Sequence, residues 1–197
     1  MNTQKIVEPI VAKAVEKFKT VQPLVSKTQL AYIWDCSENL IQDWEIVELN
    51  EALKKADITN KPRICHFLAQ ISHESGGGRY TKELASGEDY EFRDDLGNVY
   101  EGDGVKFKGA GYIQLTGRAN YQEFSDYMKD PKIMEGVDYV SKTYPMGSAS
   151  FWWCNNDMND LVDSGASVED VTLRVNGGYN GLDDRLWYYQ RCLDILQ

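Results

Sequence analysis

Metal-binding patterns are missing from this sequence of 197 residues. It contains only two histidines, His66 and His73, and it has no H-E-x-x-H motif and no evident third ligand. Four cysteines are present, widely spaced and without a CxxC pair: Cys36, Cys65, Cys154 and Cys192. Zinc sites and dithiol redox motifs have closer spacings than these. We therefore expect no metal and no cofactor, a structural His73 in a cleft wall, and buried, reduced thiols at Cys65 and Cys192.

Long apolar runs and clusters of basic residues are also absent. No apolar stretch reaches the length of about 18 residues that a transmembrane helix needs, so we expect no membrane insertion. The formal charge is −10 and no run of Lys and Arg occurs, which argues against nucleic acid and anionic membranes as partners. The first residues, M-N-T-Q-K-I-V-E-P, contain no continuous apolar segment. We therefore expect no secretory signal and synthesis in a reducing cytoplasm.

Helical periodicity dominates what is present. Apolar residues recur at helical spacing over residues 4–20, 45–56, 64–74 and 183–196. Further helices are predicted near residues 26–34, 116–128, 131–142, 146–154 and 167–176. Candidate N-caps for three of these helices are Ser26, Thr116 and Ser167. The last helix is predicted to bury four side chains: Leu186, Tyr189, Leu193 and Leu196.

Residues 85–113 differ from this helical pattern. Glycine, aspartate and asparagine are frequent there, and no helical period survives. Two short strand-like pieces, residues 105–108 and 112–115, flank the tripeptide Gly109-Ala110-Gly111. We predict a mainly α fold with a small irregular β element.

Two glutamates lie at and beyond the end of the apolar helix over residues 64–74. Glu74 is in its last turn, three glycines follow at residues 76–78, and Glu83 comes nine residues after Glu74. Glycoside hydrolysis needs a protonated carboxyl beside the leaving oxygen and a second carboxylate. An apolar helix edge tends to raise a glutamate pKa, which suits Glu74 as the acid, and a solvated segment suits Glu83 as the base. With 31 acidic residues this spacing also arises by chance, so spacing alone does not establish catalysis.

Several sequence blocks stand in order along the chain. The longer ones are H-E-S-G-G at 73–77, G-D-G-V-K-F-K-G-A-G-Y-I-Q-L-T-G-R-A-N-Y at 102–121 and N-G-G-Y-N-G-L-x-D-R at 176–185. Shorter ones are L-N-E-A-L at 49–53, F-L-A-Q-I at 67–71 and D-L-G-N at 95–98. Together they resemble glycoside hydrolase family 19, in particular its short bacterial and phage endolysin branch. The resemblance implies a lysozyme-like, two-lobed helical catalytic domain over residues 44–197, with residues 1–43 as an N-terminal helical extension packed on or near it.

The resemblance also implies a catalytic pair with supporting residues. Glu74 matches the general acid, Glu83 the second carboxylate, and Thr116 a hydroxyl that helps to hold the attacking water. Further residues are expected to bind the substrate or to order the carboxylates: His73, Gln114, Asn120, Tyr121, Asn176 and Arg185. Family members invert the anomeric configuration, so the two carboxyl groups are expected about 6.5–9.5 Å apart.

Two departures from the family pattern bear on this site. Gly109-Ala110-Gly111 stands where many relatives have G-R-G, so a cationic contact is missing. Tyr90-Glu91-Phe92-Arg93 stands where Y-E-G-R is common, which makes Glu91 a rival second carboxylate. The alternative is that Glu91 forms an ion pair with Arg93 or another arginine and holds the loop. The acidic loop beyond it lacks the EF-hand order, and its groups are expected to be solvated: Asp94, Asp95, Asn98, Glu101 and Asp103.

These observations predict a cell-wall hydrolase that cleaves β-1,4 bonds between N-acetylated amino sugars of peptidoglycan strands by an inverting acid/base mechanism. Peptidoglycan is preferred over chitin because of the endolysin-like T-G-R-A-N-Y and D-L-G-N blocks and the small size of the chain. The oligomeric state is left open. A lysin made in the host bacterial cytoplasm and released to the wall at lysis would need no signal of its own. The alternatives are a chitinase on the same scaffold, a non-catalytic lysozyme-like wall-binding module, and a lytic transglycosylase.

Overall fold

The computed structural model describes residues 22–196, and α-helices form most of this part of the chain. The predicted helix over residues 4–20 lies outside the described residues, and the division at residues 43 and 44 stays a prediction. The described α-helices are α1 (Lys27–Ile33), α2 (Asp43–Lys55), α3 (Lys61–Glu74), α4 (Asp103–Lys106), α5 (Arg118–Met128), α6 (Val137–Thr143), α7 (Pro145–Asn155), α8 (Met158–Asp163), α9 (Val168–Asn176) and α10 (Leu182–Ile195). Short 3-10 helices lie at Glu38–Leu40, Glu88–Tyr90, Asp94–Leu96 and Pro131–Glu135. Within residues 22–196, no helix has the length and apolar character to cross a bilayer.

Capping boxes with a serine as the N-cap begin two of these helices. Ser26 Oγ accepts from the Gln29 N–H at 3.2 Å, and the Gln29 side chain accepts from the Ser26 N–H at 2.8 Å. Ser167 and Asp170 form the same reciprocal pair at the start of α9. Each box satisfies backbone donors that a first helical turn leaves without partners. The N-cap predictions for Ser26 and Ser167 are confirmed.

Helix α5 begins differently from its prediction. It starts at Arg118, after Gly117, whose φ is +96°. The Thr116 hydroxyl donates to the Gln114 carbonyl at 2.8 Å and so takes part in the preceding turn. The prediction that Thr116 is an N-cap is therefore wrong, because its side chain points back along the chain rather than into the helix.

Buried apolar side chains form two clusters in residues 22–196, and these define two lobes. The large core joins α1, α2, α3 and α10 and includes Leu30, Leu49, Phe67, Leu68, Trp153 and Cys192. The small core lies among α5, α6 and residues 107–115. It includes Phe107, Ala110, Leu115, Tyr121, Phe124 and Val140. Helix α7 contributes Met146 and Ala149 to the large core and Phe151 to the small core. The mainly α, two-lobed fold is thereby confirmed.

Helix α10 buries the predicted face in part: Leu196 is 5% exposed, and Tyr189 and Leu193 are partly buried against the large core. Arg185, Tyr188 and Cys192 are buried, whereas Leu186 is 37% exposed. The most buried side chains of α10 lie one position before the predicted ones, so the buried face extends to the side that carries Arg185. An apolar pattern misses this face because its first member is an arginine. The prediction for Leu186 is wrong, and that of buried, free thiols at Cys65 and Cys192 is confirmed.

Residues 105–115 contain less β structure than predicted. Residues 105–108 lie within and just after α4, so the strand predicted there is wrong. Near residues 112–115 the pairing is reduced to isolated bridges, Lys82 with Ala110 and Ala110 with Leu115. The Tyr112 N–H donates to the Pro145 carbonyl at 2.9 Å. This backbone therefore pairs with the start of α7 instead of a neighbouring strand.

Candidate active site

Glu74 is the last residue of α3, where this helix leaves the large core. Gly76, Gly77 and Gly78 follow with φ values of +61°, +71° and +79°, a left-handed backbone that glycine adopts at low cost. A Cβ at Gly78 would lie 2.4 Å from the Trp34 ring. Glycine thus ends the helix and lets the chain turn against the core, which leaves the Glu74 side chain 26% exposed.

A buried arginine, Arg185, binds the Glu74 carboxylate. Arg185 Nη2 donates to Glu74 Oε1, and Arg185 Nη1 donates to Gln70 Oε1. Gln70 Nε2 in turn donates to Thr172 Oγ1 at 3.3 Å. The Arg185 side chain is 0% exposed, so of its two predicted roles a contact with substrate is wrong, whereas the ordering of a carboxylate fits its hydrogen bond to Glu74. The guanidinium orients Glu74 through a charge-assisted hydrogen bond, in contrast to the apolar setting that the sequence predicts.

His73 is held beside Glu74 by the start of α10. His73 Nδ1 lies 2.7 Å from Asp184 Oδ2. Gly181 precedes α10 with a φ of +71°, and a Cβ there would lie 1.9 Å from His73 Cε1. Only glycine at this position lets α10 pack directly against the imidazole. The His73 side chain is partly exposed, and its substrate-binding role stays a prediction.

Glu83 is fixed by the small lobe. Its N–H donates to the Gly109 carbonyl at 2.9 Å. Its Oε2 accepts from the Gly109 N–H at 2.8 Å, and its Oε1 accepts from the Tyr90 hydroxyl at 3.0 Å. Burial, followed by the hydrogen bond to Glu83, raises the pKa of Tyr90, so the phenol remains a donor at neutral pH. A carboxylate has about four acceptor positions, so each Glu83 oxygen keeps capacity for a water molecule.

The other predicted polar residues lie on the segment that begins at Gly109, the residue that binds Glu83. A Cβ at Gly109 would lie 2.6 Å from Gln114 Oε1 and 3.0 Å from Glu83 Oε2. The absent side chain of Gly109 therefore makes room for both groups. Thr116 donates to the Gln114 carbonyl, and Asn120 Nδ2 donates to the Thr116 carbonyl at 2.7 Å. The structure thus places Glu83 and the Gln114 side chain against Gly109, and hydrogen bonds to backbone carbonyls link Gln114 to Thr116 and Thr116 to Asn120.

Two other predicted substrate contacts differ in exposure. Tyr121 is 0% exposed in the small core, and its hydroxyl donates to the Lys108 carbonyl at 2.7 Å. The predicted contact of Tyr121 with substrate is therefore wrong, because its helical spacing from Phe124 turns both rings inward. Tyr121 instead supports the backbone that leads to Gly109. Asn176, the last residue of α9, is exposed, and its role stays a prediction.

Glu91 is occupied by the loop of the small lobe. Its carboxylate accepts from the Gly102 N–H and, at 2.6 Å, from the Gly104 N–H. The predicted pairing with Arg93 is wrong, because Arg93 pairs with Asp95. Backbone amides therefore provide the anchor that an arginine was expected to provide. Both Glu91 oxygens therefore bind the loop, which fits the structural role for Glu91, and Glu83 as the second carboxylate stays a prediction.

The acidic loop is more ordered than predicted. Asp103 is 2% exposed and Asn98 is 0% exposed, so the prediction of solvated groups is wrong for both. Arg118 pairs with Asp103 and thereby holds the pKa of that carboxyl below its usual value. Asn98 accepts from the Arg118 N–H at 2.8 Å and donates to the Tyr90 carbonyl at 2.8 Å. This network braces the segment whose tyrosine contacts Glu83.

Sequence patterns miss three residues that contact this site: Gln70, Tyr90 and Asp184. Gln70 precedes Glu74 by one turn of the same helix, so the spacing of four residues is a usable signal. Tyr90 and Asp184 approach from other segments, and no local spacing marks them.

Tyr90→Phe tests the hydrogen bond to Glu83. We expect kcat to fall about threefold to tenfold, because the carboxylate loses one of the donors that orient it. The melting temperature should change by less than about 4 °C. Steady-state kinetics on a soluble glycan and a thermal melt measure both. Tyr32→Phe, at an exposed tyrosine of α1, is the control with unchanged kcat. Equal kcat in Tyr90→Phe and the parent would show that this bond is not needed.

The two histidines face different neighbours. His73 meets Asp184, whereas the His66 ring lies 4.5 Å, between centroids, from the Tyr189 ring. Burial lowers the pKa of His66 to about 4, so this ring is neutral at physiological pH. Among residues 22–196, no group of three or more His, Cys, Asp and Glu side chains is arranged to hold a metal ion.

Sequence comparison finds glycoside hydrolases. A Haemophilus influenzae protein described as a glycosyl hydrolase family 19 domain-containing protein is 30% identical over 180 residues, covering 74% of this chain and 86% of the relative. An endochitinase from Arabidopsis thaliana is 28% identical over 119 residues, covering 60% of this chain and 40% of the plant protein. No family model matches the chain.

Solved structures share the fold. Chitinase C from Streptomyces griseus has a TM-score of 0.67 at 18% identity, covering 88% of this chain and 92% of that protein. A bacterial family 19 chitinase has a TM-score of 0.67 at 20% identity, covering 88% and 95%. A class IV chitinase from Zea mays has a TM-score of 0.66 at 17% identity, covering 88% and 92%. At these identities the likeness shows the fold alone. The Haemophilus relative, matched over most of its length, shows more: this chain belongs to glycoside hydrolase family 19 and is a glycoside hydrolase.

Proposed function

We propose that this enzyme cleaves β-1,4 bonds between N-acetylated amino sugars of peptidoglycan, with inversion at the anomeric carbon. Glu74 is the general acid, Glu83 the general base, and Thr116 helps to hold the attacking water. One observation carries the proposal: the two carboxylates are held by different partners, a buried arginine behind Glu74 and neutral donors of the small lobe around Glu83. Two carboxylates in unlike surroundings are what separate acid and base roles require.

The acid step begins at the free oxygen of Glu74. Arg185 contacts Oε1, so Oε2 is left to carry the proton. That proton passes to the glycosidic oxygen as the bond to the anomeric carbon breaks, and the leaving sugar departs with a new hydroxyl group.

The base step consumes one water molecule for each bond cleaved. The water oxygen joins the anomeric carbon, and one water proton passes to Glu83. Thr116 gives its own hydroxyl hydrogen to the Gln114 carbonyl, so towards water its oxygen acts as an acceptor. A water that donates one hydrogen to Glu83 and the other to Thr116 presents a lone pair to the sugar.

Peptidoglycan is supported by the endolysin-like blocks at residues 95–98 and 116–121. The two blocks contact each other: the Arg118 N–H donates to Asn98 Oδ1 at 2.8 Å, and a Cβ at Gly97 would lie 2.8 Å from the Ala119 Cβ. They therefore act as one structural unit that braces the Glu83 side of the site. The proposal implies the host bacterial cytoplasm before lysis, and the cell wall afterwards, as the places of synthesis and action.

Chitin is the second candidate substrate. The observation in its favour is that one relative is described as an endochitinase and several structural neighbours as chitinases. Chitin shares the β-1,4 linkage and the N-acetylated amino sugar, so the same two carboxylates would serve for either polymer.

Mass spectrometry of fragments released from purified peptidoglycan tests the proposal, with glycol chitin as the parallel substrate. We expect soluble wall fragments with ordinary reducing ends, heavier than the anhydro form by one water. Turnover of glycol chitin without release of wall fragments would favour the chitinase. Fragments ending in anhydro sugars would indicate a lytic transglycosylase, and wall binding without any cleavage would indicate a binding module.

A further inference from the structure

Left-handed backbone conformations draw attention to the loops around Glu83. Among residues 22–196, six residues other than glycine have positive φ: Asp35, Asp57, Phe92, Gln114, Lys129 and Asp157. Aspartate tolerates this conformation, and Lys129 adopts it as the C-cap of α5, a common way for a helix to end. Neither reason applies to Phe92 or Gln114, and both belong to segments that hold Glu83.

Phe92 is unfavourable in two respects. Its φ is +53°, which a bulky side chain rarely adopts. Its ring is 62% exposed, so packing does not offset the strain. Glycine would adopt the same backbone without strain. A strained, exposed aromatic residue where glycine would be easier is an outlier of the kind that marks functional sites.

The segment that carries Phe92 is anchored at the candidate site. Two residues earlier, the Tyr90 hydroxyl donates to Glu83 Oε1 at 3.0 Å. One residue earlier, the Glu91 carboxylate accepts from two backbone N–H groups. The Cα atoms of Tyr90 and Phe92 are at most about 7 Å apart, as for any two residues at this separation. Leu84, next to Glu83, is 86% exposed and adds apolar surface beside the carboxylate.

We propose that the Phe92 ring stacks on a sugar of the bound glycan near the cleavage point and forms a binding subsite of the small lobe. This inference rests on the proposed function, because it takes Glu83 as part of the substrate cleft. The ligand class is a β-1,4-linked chain of N-acetylated amino sugars. The C–H face of a pyranose is apolar and matches the flat face of an aromatic ring, and phenylalanine offers no polar group that would serve another purpose.

Phe92→Gly distinguishes the effect of backbone strain on stability from the effect of the Phe92 ring on substrate binding. We expect the melting temperature to rise by about 2–4 °C, because glycine relieves the left-handed strain. We expect KM for a soluble glycan to rise about threefold to tenfold, because the stacking contact is lost. The expected kcat stays within about twofold, since the ring does not touch the reacting atoms. Phe92→Tyr, which restores the ring, is expected to restore KM.

Lys129→Gly is the matched control. It replaces an exposed residue of positive φ at the end of α5, so it should raise the melting temperature without changing KM. Binding of uncleaved glycan to Glu74→Gln, with and without Phe92→Gly, measures the contact directly. The double variant should bind about threefold to tenfold more weakly.

The outcomes distinguish this inference from the proposed function. Active enzyme with unchanged KM and unchanged glycan binding in Phe92→Gly would overturn the subsite while leaving the hydrolase intact. A parent enzyme that cleaves no glycan, but binds it in a way that depends on Phe92, would overturn the proposed function alone.

Discussion

Glu74→Gln is expected to lower kcat about 10²- to 10⁴-fold, the loss typical of a missing general acid. The amide has the shape of the carboxyl group, and it has no proton to give to the leaving oxygen. It still offers an oxygen to Arg185, which now contacts Oε1 of the acid. The melting temperature should therefore stay within about 4 °C of the parent value. Kinetics on a soluble glycan and a thermal melt measure the two effects.

Two other glutamate-to-glutamine variants serve as comparisons for Glu74→Gln. Glu123→Gln, at an exposed position of α5, is expected to keep kcat within about twofold of the parent. Glu83→Gln is expected to lose activity on the scale of Glu74→Gln, because the base is then missing. Parent-like kcat in Glu74→Gln would remove Glu74 from the role of acid. Full activity of Glu83→Gln, together with anhydro products, would rule out inversion.

Arg185→Met is expected to lower the free energy of unfolding by about 3 kcal/mol and kcat by at least about tenfold. The guanidinium is fully buried and binds Glu74 and Gln70 at once. Its removal leaves two acceptors without a donor. The expected loss lies at the low end for a broken buried pair, because Glu74 is 26% exposed and water can solvate it. Urea denaturation and steady-state kinetics provide the measurements.

Arg174→Met is the control for this prediction. Arg174 is exposed in the last turn of α9 and makes one long hydrogen bond of 3.4 Å to the Asn156 carbonyl. Its replacement should change stability by no more than about 0.5 kcal/mol. The double variant Arg185→Met with Glu74→Gln should show non-additive losses, because the side chains of Arg185 and Glu74 are in contact. Equal unfolding curves for Arg185→Met and the parent would contradict the role given to this arginine.

Elements with local causes were predicted well from the residues alone. The capping boxes at Ser26 and Ser167 each depend on a residue three positions later. Helix α3 ends after Glu74 because three glycines follow its C-cap, Ser75. Thr116 shows the limit of this reasoning: its type suits an N-cap, but the turn that contains Gln114 takes its hydroxyl.

Partners of the candidate site were not predictable in the same way. Arg185 meets Glu74 across 111 positions of sequence, and the Glu83 carboxylate meets the Gly109 N–H across 26. No helical or strand period connects such positions. The same limit explains Tyr121, whose motif indicates substrate contact but whose ring lies inside the small core.

The two glutamates and the glycine break between them follow from residue order, since helix formation and helix termination are decided within a few positions. Their surroundings followed only from the folded chain. Packing of α10 against α3 placed a buried guanidinium against Glu74, and the folding of the small lobe placed two neutral donors, the Gly109 N–H and the Tyr90 hydroxyl, on Glu83. Contacts of this kind depend on how two separate cores come together. No spacing along the chain records that arrangement.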